Sequence, residues 1–320
     1  MKKWGRRFAI FLAIVLLILL IGPFLIPVPP LEGTLPPQTL ADEQSQFITI
    51  PYPGTDGLEI HYWDAGDGPR HFLLLHGFAS NVYTWDEVFG YFASQGRAVA
   101  YDRIPFGLSE RPLPSDWQAQ NPYTREATVD FAIELLDELG IDRAIVVGNS
   151  AGGLLAMQLA LEHPERVEGL ILAAPAVLSG NGSPPLAQAL ANTPQLKRIG
   201  PLFARLIGQI EFAGDLTDVQ IEKAFIGTRI QNWDKALWEF TAATSQLDLS
   251  DQFDQITQPT LVITGDADNF VPPGESIQLA GELPNAELAV LPNCGHIPQQ
   301  ECETEFLQAV EDWLATLPGK

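Results

Sequence analysis

The segment from Gly148 to Gly152 restricts the local fold more than any other part of the chain. It reads GNSAG and joins an apolar run at 144–147 to an apolar helical segment at 154–161. Side chains two residues on either side of Ser150 would clash in so tight a turn, so glycine is required at both ends. The pattern predicts a strand, a sharp turn and a helix, with the Ser150 hydroxyl exposed at the helix N-terminus as a nucleophile.

The chain beyond residue 46 alternates short apolar runs with amphipathic segments. One such segment, 124–139, begins at Thr124, which can cap a helix, and is followed by Gly140. Continuous apolar strands between helices are typical of a mostly parallel sheet covered on both faces. The predicted strands of this body are 47–50, 58–63, 71–75, 98–101, 144–147, 170–173, 261–264 and 288–291.

Residues 177–258 interrupt this alternation, because they contain no strong strand pattern. Their apolar spacing predicts helices instead. We therefore expect a core formed by 47–176 and 259–320, with 177–258 as a helical insertion between two strands of its sheet. The predicted helices of the insertion are 186–190, 196–207, 219–225 and 235–243.

The first 30 residues have the pattern of a membrane anchor. An apolar stretch at 8–28 is long enough to span a bilayer. Four cations precede it, which predicts a cytoplasmic N-terminus and an extracytoplasmic body. A cleaved secretory signal, which would leave the body secreted, is the alternative. Residues 31–46 are rich in proline and polar residues and are predicted to be a linker.

Charge and composition exclude several function classes. Lys and Arg total 18 against 40 Asp and Glu, a formal net charge of −22, which argues against nucleic-acid binding. The five histidines and two cysteines show no metal-ligand spacing. We expect no cofactor and no metal. Cys294 and Cys302 flank His296, and either a disulfide or two free thiols fits their separation.

Further polar residues follow the predicted strands. Asp266 and Asp268 follow 261–264, and His296 follows the last strand. Serine needs a histidine as base, and a carboxylate must hold that histidine in the correct tautomer. An oxyanion hole also needs two N–H groups, for which Ala151 and Phe78 are the candidates.

These motifs together resemble the α/β-hydrolase superfamily over residues 47–317. The resemblance implies the chain order Ser150, Asp268, His296 for the catalytic residues, since Asp268 rather than Asp266 fits G-x-x-D before a Val-Pro pair. It also implies that 177–258 is a cap. We expect His76, at the start of the loop with Phe78, to support that loop without doing chemistry. Pro105 departs from the family, which often has glycine there. The matching segments are 76–78, Asp102 with 106–112, 148–153, 265–272 and 295–301.

The resemblance narrows the reaction. A serine at position 150 disfavours the family's dehalogenases and epoxide hydrolases, which attack with an aspartate. Epoxide hydrolases also use tyrosines of the cap, and residues 177–258 contain none. We expect a membrane-anchored serine hydrolase that cleaves a small, apolar carboxylic ester through an acyl-enzyme. The alternatives are hydrolysis of a carbon–carbon bond in a diketo acid, which the Asn-Ser pair at 149–150 also resembles, a perhydrolase-type activity, and a non-catalytic receptor.

The aromatic residues of the predicted cap are candidates for the substrate pocket. We expect one or two of them to line it and the others to pack inside the cap. The candidates are Phe203, Phe212, Phe225, Trp233, Trp238 and Phe240.

Overall fold

The computed structural model describes residues 2–178, 182–208 and 216–318. An eight-stranded sheet with the order β1-β2-β4-β3-β5-β6-β7-β8 forms the centre of the body. Its strands are β1 (Gln46–Ile50), β2 (Leu58–Ala65), β3 (His71–Leu75), β4 (Arg97–Tyr101), β5 (Ala144–Asn149), β6 (Val167–Ala173), β7 (Thr260–Gly265) and β8 (Ala286–Leu291). Strands β3 to β8 pair in parallel, whereas β1 and β2 add an antiparallel edge. The predicted fold class is confirmed.

The α-helices of the described residues are α1 (Lys2–Leu25), α2 (Pro37–Leu40), α3 (Asp86–Gln95), α4 (Arg125–Glu138), α5 (Ala151–Glu162), α6 (Pro185–Ala191), α7 (Pro194–Ile207), α8 (Asp218–Ala224), α9 (Trp233–Ala243), α10 (Pro273–Glu282), α11 (Pro298–Glu301) and α12 (Glu303–Thr316). Helices α4 and α5 cover one face of the sheet, and α3 and α12 cover the other.

Successive residues of each central strand point into two different cores, because side chains alternate along a strand. On β3, Leu73 and Leu75 pack with α4 and α5. Phe72 and Leu74 pack on the other face with α3 and α12. Both faces are therefore apolar, which explains why the strands read as continuous apolar runs rather than as alternating ones.

The segment between β6 and β7 contains the helices α6 to α9 above the sheet. The Thr193 side chain caps α7, and Thr217 with Gln220 forms a capping box at the start of α8. An ion pair between Arg205 and the buried carboxylate of Asp234 joins α7 to α9 at 2.7 Å. We call residues 177–258 the cap, and their exact limits stay a prediction.

The N-terminal helix α1 is long and apolar enough to cross a membrane, a property that signal sequences share. Its mean hydropathy over an 18-residue window is 3.1, and none of that window is buried. The helix lies against α7. Nε2 of Gln195 donates to the carbonyl of Leu20 at 3.4 Å, and Nη2 of Arg205 donates to the carbonyl of Pro29 at 2.7 Å.

Candidate active site

Ser150 sits in a strained turn between β5 and α5. Its φ is +53° and its ψ is −120°, a conformation that costs a non-glycine residue about 1–3 kcal/mol. A Cβ on Gly148 would overlap the carbonyl of Gly152, and a Cβ on Gly152 would overlap the carbonyl of Leu75. The two glycines let the chain turn this tightly, and the turn leaves Ser150 facing a cavity.

His296 and Asp268 form a hydrogen-bonded pair beside this serine. Nδ1 of His296 lies 2.8 Å from Oδ2 of Asp268. The other carboxylate oxygen of Asp268 accepts hydrogen bonds from the backbone N–H groups of Phe270 and Val271 at 2.8 and 2.9 Å. The Asp268 side chain is fully buried, whereas His296 lines the same cavity as Ser150. This arrangement leaves Nε2 as the ring nitrogen of His296 that is free of the carboxylate.

Asp266 has a different role from Asp268. It is exposed, and its Oδ1 accepts a hydrogen bond from the backbone N–H of Asn293 at 2.6 Å. It therefore holds the turn after β8 and makes no contact with the His296 ring.

Several bonds hold the histidine loop in place. Nδ2 of Asn149 donates to the carbonyl of His296 at 3.2 Å, so the residue before the nucleophile contacts the loop directly. Oε1 of Glu301 accepts from the N–H of Ile297 at 2.7 Å. A disulfide joins Cys294 to Cys302, with their Cα atoms 6.0 Å apart. Of the two states that the sequence allowed for the cysteines, the structure has the bridged one.

The loop after β3 lies directly against the nucleophile. A Cβ built on Gly77 would lie 3.3 Å from Cβ of Ser150. Phe78 follows on this loop and Ala151 begins α5. No acceptor within the described residues engages either backbone N–H. The backbone N–H groups of Phe78 and Ala151, which the sequence predicts as the oxyanion hole, thus have no acceptor among the described residues.

His76 is part of the support of this loop. Its ring is fully buried, with Nδ1–H donating to the carbonyl of Gly77 at 2.8 Å and Nε2 accepting from the N–H of Arg103 at 3.0 Å. Burial, assisted by the charge of Arg103, lowers the pKa of His76 to about 3. The imidazole is therefore neutral and holds the loop through two backbone bonds.

Asp102 and His61 form a second buried pair that the sequence did not suggest. Nδ1 of His61 lies 2.7 Å from Oδ2 of Asp102. The same carboxylate accepts from the N–H groups of Val82 and Leu108 at 2.7 and 2.6 Å. Burial by itself raises the pKa of Asp102, but the charge and hydrogen bond of His61 outweigh it, and the pKa lies below its usual value. Only strand pairing reveals this contact, since β2 and β4 run antiparallel side by side.

Ser150 and His296 open into a cavity of about 280 Å³ between the sheet and the cap. Its walls are mainly apolar, and Arg111 is the arginine that lines it. Of the six cap aromatics, Phe225 and Trp233 line this cavity, in agreement with the expectation of one or two, and Phe240 lines a second cavity. The rings of Phe203 and Trp238 pack together in a tilted arrangement, with their centroids 6.0 Å apart. Phe212 lies outside the described residues.

Arg111 is buried without an acidic partner within the described residues. Its guanidinium donates to the carbonyls of Ser109, Gly107 and Gly227, while Nε has no hydrogen-bond partner. Burial lowers the pKa of Arg111 to about 10, so it stays charged at neutral pH. In the described part of the chain, no three His, Cys, Asp or Glu side chains converge as metal ligands.

A family model described as the α/β hydrolase fold matches residues 70–301. The chain belongs to the α/β-hydrolase family. Among curated relatives, this α/β hydrolase is 35% identical to the 2-hydroxymuconate semialdehyde hydrolase of Pseudomonas putida, over 81% of this chain and 92% of the relative. It is 30% identical to a 2-hydroxy-6-oxononadienedioate/2-hydroxy-6-oxononatrienedioate hydrolase of Burkholderia vietnamiensis, over 84% of this chain and 95% of the relative.

Among solved structures, the meta-cleavage product hydrolase of Pseudomonas fluorescens matches this α/β hydrolase with a TM-score of 0.61 and 26% identity. The match covers 83% of this chain and 98% of that one. The chain is thus a hydrolase with relatives that act on small molecules.

The prediction of a membrane-anchored carboxylic ester hydrolase is wrong in its reaction. The relatives are hydrolases of carbon–carbon bonds in meta-cleavage products, which agrees with the stated alternative. The physical reason is that a serine, a histidine and an oxyanion hole activate a carbonyl without specifying the bond that breaks next to it. The apolar ester was inferred from the acidic charge of the body and its predicted membrane anchor. Neither feature determines which group leaves the carbonyl.

Proposed function

We propose that this α/β hydrolase cleaves a carbon–carbon bond in a 2-hydroxy-6-oxo dienoate, the class of compound named in several of its relatives. The observation that carries the proposal is the likeness to 2-hydroxymuconate semialdehyde hydrolase at 35% identity over 92% of that relative. The geometry around Ser150 supports it, since every group that a serine hydrolase needs lies within one site.

The nucleophilic step follows from the position of Ser150. Its hydroxyl adds to the C6 carbonyl carbon while Nε2 of His296 takes the proton. Asp268 keeps the proton of the ring on Nδ1 and stabilises the imidazolium that forms. The N–H groups of Phe78 and Ala151 bind the oxyanion.

The bond between C5 and C6 then breaks. The substrate first takes its 2-keto form, in which C5 is a methylene conjugated through a double bond to the C2 ketone. The electron pair of the breaking bond therefore delocalises into that ketone, and His296 returns a proton to the departing fragment. Water then hydrolyses the acyl group on Ser150, so that one water is consumed for each bond cleaved.

The first cavity suits such a substrate. Apolar walls fit the diene, and the charge of Arg111 lies in the wall to balance the C1 carboxylate. Asn81 also lines this cavity, but its side-chain amide donates to the carbonyls of Lys223 and Ala224 at 3.0 Å. These bonds connect the loop after β3 to the cap, so the amide N–H groups of Asn81 are already used.

The test is a turnover assay with 2-hydroxymuconate semialdehyde and with 2-hydroxy-6-oxo-6-phenylhexa-2,4-dienoate. The conjugated dienoate should lose its absorbance, and chromatography should detect one carboxylic acid and one hydroxydienoate per substrate. Ser150→Ala is the control and should be inactive. Absence of cleavage by the folded wild-type enzyme on a panel of such dienoates would overturn the proposal.

We also propose that α1 anchors the enzyme in a membrane with the catalytic body on the extracytoplasmic side. The support is the length and hydropathy of α1 and the four cations at its N-terminal end.

A further inference from the structure

A second cavity adjoins the first at Phe78. It has a volume of about 230 Å³, and it shares Phe78 and Ile207 as walls with the first cavity. Ala151, whose N–H is proposed to bind the oxyanion, lines this second cavity. Because Ser150 lines the first cavity and Ala151 lines the second, a carbonyl held between these two residues lies next to both cavities.

Two arginines line the second cavity. Arg103 is 4% exposed, and Nη2 donates to the carbonyl of Gly77 at 2.9 Å. Nε of Arg103 has no hydrogen-bond partner, and no described carboxylate lies within ion-pair distance of its guanidinium. Arg125 donates from Nε and Nη2 to the carbonyl of Ser245 at 2.8 and 2.6 Å.

The positive charge of Arg103 has no counter-ion among the described residues. Burial, together with the charge of Arg125, lowers the pKa of Arg103 to about 10, so the group still carries its proton at neutral pH. A buried charge without a counter-ion is costly, and a bound anion removes that cost. Five further polar residues line the cavity and add hydrogen-bonding groups that an apolar acyl chain does not need: Thr128, Gln158, Ser183, Thr241 and Thr244.

We propose that the second cavity is an anion subsite, in which Arg103 and Arg125 bind a carboxylate carried by the acyl half of the substrate. This inference rests on the proposed function and narrows it to dicarboxylic substrates. The name of one relative, 2-hydroxy-6-oxononadienedioate hydrolase, describes such a diacid. Its cleavage between C5 and C6, with addition of one water, releases a four-carbon dicarboxylic acid, succinate, from the acyl half.

The first experiment measures binding without turnover. Succinate is titrated calorimetrically into the full-length enzyme, with butyramide as the compound of the same chain length that carries no carboxylate. We expect succinate to bind about 10- to 100-fold more tightly, as is typical for a charge-assisted contact. Arg103→Met and Arg125→Gln should each remove this preference, whereas Arg103→Lys should retain part of it. Equal affinity for the two compounds, or no binding of succinate, would overturn the subsite.

The second experiment compares the kcat/KM for the diacid with that for its analogue in which the C9 carboxylate is a primary amide. Wild type should prefer the diacid by about 10- to 100-fold, and Arg103→Met should bring the ratio close to one. A loss on both substrates with an unchanged ratio would show that Arg103 only supports the loop at Gly77 and would contradict the subsite. Arg198→Gln is the control, because Arg198 is exposed on α7 and lines neither cavity.

The two proposals fail in different ways. If no dienoate is cleaved but succinate still binds through Arg103, the proposed reaction is wrong and the anion subsite stands. If monoacid dienoates are cleaved and succinate does not bind, the reaction stands and the subsite is wrong.

Discussion

The side chain of Asn149 reaches from the residue before the nucleophile to the backbone of the catalytic histidine: its Nδ2 lies 3.2 Å from the carbonyl oxygen of His296. The same nitrogen also donates to the carbonyl of Ala173 at 3.1 Å. One amide therefore connects β5, the end of β6 and the histidine loop. This contact makes the distance between Ser150 and His296 depend on a residue that needs no chemistry of its own.

Asn149→Ala should lower kcat by roughly tenfold to a hundredfold, because a misplaced base costs rate even when every reacting group is present. The measurement is steady-state cleavage of a dienoate. Asn285→Ala is the matched control, since Nδ2 of Asn285 also donates to a backbone carbonyl, that of Thr257, but at an exposed position. Equal effects of the two variants would contradict a positioning role for Asn149.

Asp268→Asn should nearly abolish turnover. An amide at this position holds the histidine in the wrong tautomer, and comparable triads lose ~10⁴ in kcat. Asp266→Asn should cost less than about tenfold, because Asp266 bonds only the turn at Asn293. Single-turnover rates of both variants and of Ser150→Ala decide the assignment, and the reverse order would exchange the two aspartates.

The disulfide between Cys294 and Cys302 should stabilise the histidine loop. Closing so short a loop contributes roughly 2–3 kcal/mol, so Cys294→Ala with Cys302→Ala should lower Tm by roughly 5 °C. Thiol titration of the denatured, unreduced wild type should find no free thiol. Two free thiols in that titration would show that the cysteines are not bridged.

His76 should make the free energy of unfolding depend on pH. Its pKa is about 3 when folded and about 6.5 in an unfolded chain, so unfolding takes up a proton between these values. Stability should therefore fall as the pH falls from 6.5 towards 3, by on the order of 1 kcal/mol per pH unit. Urea unfolding in detergent, from pH 7.5 to 4.5, measures this slope. His76→Gln should be less stable at pH 7 and show a shallower slope, and an unchanged slope would contradict the assignment.

The orientation of α1 predicts the accessibility of the catalytic body. Protease added to intact cells should digest the body, and carbonate extraction should leave the full-length chain in the membrane fraction. Protection in intact cells, or release by carbonate without processing, would contradict the anchor.

The fold and the reacting groups could be predicted from sequence because each depends on local patterns. The glycines around Ser150 predict the tight turn, and the apolar runs before Asp268 and His296 predict the strands that these residues follow. Arg103 and Arg125 could not be predicted, because their meeting depends on how α4, the loop after β4 and the cap pack together. The reaction was predicted incorrectly for a related reason. The triad carries no information on the leaving group, which the walls of the two cavities select.

Helix α7 contributes Ile207 to both cavities and also contacts α1. Gln195 of α7 donates to the carbonyl of Leu20 on α1, and Arg205 of α7 donates to the carbonyl of Pro29, which follows α1. One helix therefore borders both cavities and holds the N-terminal segment. A movement of α7 that widened either cavity would have to break these two hydrogen bonds or displace residues 20–29 with it.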